Sequence, residues 1–71
     1  MRPIDYALHQ FARMGYTAHD IRDEHRTVQF TLKGDTAVPR MLLSQVMAEQ
    51  FPEKTYAFST TGNAMTVKII K

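Results

Sequence analysis

The chain has 71 residues, no cysteine, and nine Lys/Arg against seven Asp/Glu, for a net charge of +2. A chain this short builds one domain around a single core layer, and without cysteine it has neither disulfides nor thiolate metal sites. Its isoelectric point near 9.2 is mildly basic, but the cations are spread from Arg2 to Lys71 rather than gathered on one helix, as a dedicated DNA-binding module would have them.

Domains of this size rarely gain more than ~3–5 kcal/mol from one core, which leaves oligomerisation as the route to further stability. No apolar run reaches the length of a signal-peptide core or a membrane span. The expectation is a soluble, cytoplasmic protein with no membrane partner.

Pro3 to Met14 has the spacing of a helix, with Ile4, Ala7, Leu8, Phe11 and Met14 on one face and Asp5, His9 and Arg13 on the other. Gly15 suits the left-handed residue that closes a helix, with Tyr16 folding back on the last turn. From Thr17 the period changes to two. His19, Ile21 and Asp23 alternate with Ala18, Asp20 and Arg22, a weak and polar strand that turns at Asp23 to Arg26. Thr27 to Lys33 is a stronger strand, with Val28, Phe30 and Leu32 on one side. Gly34 and Asp35 end it.

Val38 to Phe51 carries the clearest helical stripe, made of Leu42, Leu43, Val46, Met47 and Phe51. Pro39 fits its first turn, Asp35 or Thr36 is placed to cap it, and Pro52 ends it. Lys54 to Ser59 reads as a third strand, with Tyr56 and Phe58 facing the core. A turn follows over Thr60 to Asn63, and Met65 to Lys71 is the last strand, with Met65, Val67 and Ile69 inward and Ile70 outward.

The order αββαββ is one unit written twice, in pseudo-repeats of about 1–34 and 35–71 within a single domain, 1–71. Leu8 matches Leu43, Gln10 matches Gln45 and Tyr16 matches Phe51 at an offset of thirty-five; Val28, Phe30 and Leu32 match Met65, Val67 and Ile69 at thirty-seven. Duplication and convergent patterning explain these matches equally well. Neither half can bury both its helix face and its sheet face alone. The expected fold is an α+β two-layer sandwich, a four-stranded, mainly antiparallel sheet with both helices on one face. It resembles a ferredoxin-like sandwich with its first strand moved to the end.

Catalytic signatures are missing. There is no Gly-rich phosphate loop, and Ser44 and Ser59 have no recognisable base nearby in sequence. His19, Asp20, Asp23, Glu24 and His25 gather oxygen and nitrogen ligands, but a charged hairpin explains them more simply than a metal. No cofactor is implied. The sequence therefore points to a non-enzymatic protein-interaction or accessory module, a homodimer joined through a sheet edge or face. Ile70 marks the seam if the last strand lies at an edge. The alternative is nucleic-acid binding on the open sheet face through Arg22, Lys33 and Lys68, with Arg26 and Lys71 at the margin. That face, however, lacks the aromatics on which single strands stack.

Overall fold

The computed structural model describes residues 2–71. The elements run α1 (Pro3–Arg13), β1 (Thr17–Asp23), β2 (Thr27–Lys33), α2 (Arg40–Gln50), β3 (Thr55–Thr61) and β4 (Ala64–Ile70). The four strands form one antiparallel sheet in the order β1-β2-β4-β3. Moving β4 to the front of this series would give the βαββαβ order of the ferredoxin-like arrangement. The Cα radius of gyration, 11.0 Å, is that of a compact single domain of this length, about 11 Å.

Both helices end where local chemistry stops them. At the start of α1 the Asp5 carboxylate accepts the Arg2 backbone N–H at 3.3 Å, half of a capping box. At its end Gly15 takes φ +95°. The Tyr16 N–H reaches Phe11 O at 3.0 Å and the Gly15 N–H reaches Ala12 O at 3.1 Å, the paired bonds of a Schellman closure. Tyr16 is thereby carried into the core, whereas Met14, expected on the apolar face, is 61% exposed because the closure turns it outward.

α2 starts two residues later than its stripe predicts. Pro39 occupies the cap position with extended backbone, and no side chain caps the helix, so neither Asp35 nor Thr36 has that role. Val38 precedes the helix and is buried all the same. Pro52 follows the C-cap Phe51, as expected.

The core joins Ile4, Ala7 and Phe11 of α1 and Leu43, Val46 and Met47 of α2 to one face of the two central strands. On that face Val28 pairs with Ile69, Phe30 with Val67 and Leu32 with Met65, all six buried. Burying a side chain of this kind stabilises the fold by roughly 1.5–3 kcal/mol relative to leaving it exposed. The β2–β4 ladder is symmetric about the Phe30–Val67 pair, and these two residues are also equivalent in the thirty-seven-residue alignment. The strand order and this register therefore set β2 opposite its counterpart β4 and β1 opposite its counterpart β3 about an approximate two-fold between these two residues.

The symmetry breaks in β1. His19 pairs with Thr31 and Arg22 with Gln29, so both Asp20 and Ile21 stand opposite Phe30. This is a β-bulge, and Asp20 adopts φ +53° within it. The simple alternation expected for β1 therefore fails: His19 and Arg22 share one face, and Ala18 and Asp23 share the other.

β4 is the second correction. It lies between β2 and β3 and has no free edge, so Ile70 cannot seed strand addition from the terminal strand. The outer strands are β1 and β3.

Candidate functional site

The sheet face away from the core follows from the register. Cross-strand rows run Thr17–Lys33–Ala64–Thr61, then His19–Thr31–Thr66–Ser59, then Arg22–Gln29–Lys68–Ala57. Thr31 and Thr66 share a hydroxyl hydrogen bond at 3.2 Å. Arg22 and Lys68 thus share one row, separated by Gln29 at two strand spacings, roughly 10 Å. Lys33 sits four residues further along β2 from Gln29, about 13 Å away. No Phe or Tyr belongs to these rows, so a single strand laid across them would find charge and hydroxyls but no stacking surface.

Two of the remaining basic candidates lie elsewhere. Arg26 is in the β1–β2 turn, where its carbonyl accepts the Lys71 N–H at 2.9 Å. The Lys71 ammonium donates to Asp23 Oδ1 at 2.8 Å and to the Glu24 carbonyl at 2.7 Å. Asp23 pairs with the core residue Val28, so this cluster belongs to the helix side of the sheet. Arg2 donates from Nη1 to the other carboxylate oxygen, Oδ2. The Lys71 hydrogen bond, and then the charges of Lys71 and Arg2, hold the Asp23 carboxyl below its ordinary value against an opposing desolvation effect. Among the described residues no three His, Asp or Glu converge as metal ligands, and Asp23 is engaged by its two cations.

The two outer edges differ sharply. β1, TAHDIRD, is bulged and carries Asp20, Arg22 and Asp23, the devices that discourage a neighbouring strand. β3, TYAFSTT, is seven residues long and contains no charge, proline, glycine or bulge. Its backbone bonds only to β4, and its outer side is unpaired among the described residues.

Tyr56 and Phe58 point toward the helix layer, as the alternation predicts, but α2 leaves them partly open. Phe58 is 36% exposed, and a depression of about 380 Å³ separates Met47 and Ala48 from Tyr56. The Arg40 guanidinium lies over the Phe58 ring, while Met41 beside it is 74% exposed. An uncharged open edge therefore runs alongside a strip of exposed apolar side chains. The sequence offered the last strand as the seam only on condition that it lay at an edge, and it does not. The absence of charge in TYAFSTT was the available signal for β3.

No protein-family model matches this chain, and comparison with curated proteins finds no match.

Proposed function

We propose that the chain is a small non-enzymatic interaction module that pairs with a second copy of itself along the outer edge of β3. The observation that carries this reading is the contrast between the two edges: one bulged and charged, the other long, flat and neutral. A two-fold axis at Phe58 would pair all seven residues antiparallel, with Ala57 of each copy opposite Ser59 of the other and Tyr56 opposite Thr60. That contact is self-complementary, meets no like charges, and makes one eight-stranded sheet. It would also cover Phe58 and Tyr56, giving a domain without disulfides the extra burial its size calls for. The same edge would receive an extended segment of another protein partner by strand addition.

Sedimentation equilibrium tests the dimer. The expected mass is twice the 8.2 kDa of one chain. The double substitution A57K/S59K, which sets lysines against each other across the seam, should return it to the single-chain value, whereas T17K on β1 should not. A wild-type chain that stays monomeric at millimolar concentration defeats the reading.

Nucleic-acid binding on the open face is the second reading, favoured by the Arg22–Gln29–Lys68 row with Lys33 beyond it. It requires affinity that falls steeply with salt and with R22A or K68A. Absence of binding to single- and double-stranded probes at low salt ends it.

A further inference from the structure

A cleft of about 390 Å³ opens at the end of the sheet away from the β3–β4 turn, between the start of α1 and the end of α2. Its volume is in the range of small-molecule sites. Ile4 and Val28, both buried, form the floor, and Phe51 and Pro52 form a wall. Charge lies only on the rim, where Arg2, Lys54 and Lys71 face a single carboxylate, that of Asp23.

The balance of charge on the rim turns on one lysine. Arg2 and Lys71 are both held on Asp23, one on each oxygen, and Arg2 also meets Asp5 Oδ2 at 3.4 Å, so these two cations are matched by two carboxylates. Lys54 has no ion-pair partner among the described residues. The N-terminus of α1 and the C-terminus of α2 both border the cleft, and their opposite dipole ends offset each other, so the side chains set the local field. The result is an apolar slot under a cationic rim.

We propose that this cleft binds a free small molecule with an apolar body and one negative charge, a medium-chain alkyl or an aromatic carboxylate. Its body lies on Ile4, Val28 and Phe51. Its carboxylate meets Lys54, unpaired among the described residues. The charge of the rim argues against a second copy as occupant, since the chain itself is net positive.

Decanoate is the probe, titrated into the isotope-labelled wild-type chain and followed by amide chemical shifts. Saturable shifts should be confined to Ile4, Val28, Phe51, Lys54 and Lys71 and their neighbours. Decyltrimethylammonium, equal in chain length and opposite in charge, should bind roughly tenfold more weakly or worse. K54E should weaken decanoate by roughly 2- to 5-fold, the upper range of one exposed charge contact; K54Q should fall between K54E and wild type. Lys54 is exposed and makes no ion pair, so both variants should keep the wild-type unfolding midpoint.

Shifts that fail to saturate or that spread over the sheet, equal affinity for the cationic analogue, or unchanged affinity in K54E would each overturn the site. Sedimentation with phosphatidylglycerol vesicles in the absence of decanoate shifts would overturn it in favour of a lipid surface. The β3 seam lies elsewhere, so a monomeric chain that binds decanoate separates this proposal from the dimer.

Discussion

The Arg40 guanidinium lies 5.6 Å from the centroid of the Phe58 ring and ties the first turn of α2 to the outer strand β3. Two effects of similar size meet there. A cation at a helix N-terminus costs about 0.3–1 kcal/mol, and an exposed cation–π contact returns about 0.5–1 kcal/mol. R40A should therefore change stability by less than about 0.5 kcal/mol, because it removes both at once. F58L should cost more, since it leaves the cation against the dipole with no ring to answer it. A double-mutant cycle by urea denaturation should give a coupling of about 0.5–1 kcal/mol. A coupling of zero would mean that the two groups merely lie near each other.

A second close relationship joins the two loops at the far end. A Cβ built on Gly34 would lie 2.6 Å from Tyr16 Cδ1 and 3.0 Å from Cε1, with Gly15 O at 3.2 Å. Tyr16 is buried and its backbone is pinned by the helix closure, so the ring has little room to retreat. G34A should destabilise by about 1–3 kcal/mol, the usual cost of overpacking. The same change in a Y16A background should cost much less, and equal costs in both backgrounds would show that the ring is not the obstacle.

What was legible in the sequence follows from where side-chain period dominates. β2 was readable to the residue because Val28, Phe30 and Leu32 alternate without interruption between polar neighbours, and the register then buries all three. Gly15 and Tyr16 were readable because a left-handed closure needs glycine and an apolar follower. The strand order was not legible. Both hairpins carry similar patterns, and whether β4 meets β2 or lies outside depends on which pair of strands shares the helices. The bulge at Asp20 was hidden for a related reason, since one extra residue among exposed polar ones leaves no break in hydrophobic period. The cleft was hidden because its walls come from four separate parts of the chain, each of which reads as ordinary core or ordinary surface.

The turn after α2 contains an avoidable strain. The Lys54 N–H bonds to Phe51 O at 3.3 Å, Pro52 follows Phe51, and Glu53 has φ +64°. This is the pattern of a type II turn, whose third position favours glycine or asparagine. Holding another L-residue there costs roughly 1–2 kcal/mol, of which the greater freedom of an unfolded glycine would take back about 0.5–1 kcal/mol. E53G should thus stabilise by about 0.5–1 kcal/mol, raising the thermal midpoint by roughly 2–8 °C in a domain of this size. E53N should act in the same direction. A lower midpoint in both would show that the Glu53 side chain contributes something the backbone geometry does not reveal.

Asp23 sets the response to acid. Its folded carboxyl titrates below the ordinary 3.8, chiefly through the Lys71 hydrogen bond and then through the charges of Lys71 and Arg2. A group whose folded value is depressed contributes its stability in full above the unfolded value, and loses it as pH falls through the folded one. The Arg2–Asp23–Lys71 contribution is therefore intact at neutral pH and at pH 5, and it fades from just under pH 4 downward. D23N removes the titration, so its urea midpoint should lie below wild type at pH 6 and approach it as the solution is taken to pH 2. K71A should shrink the same acid-dependent difference while leaving the Arg2 part, because the lysine hydrogen bond is the larger cause. If the wild-type and D23N curves stay parallel across that range, the carboxylate is not coupled to folding.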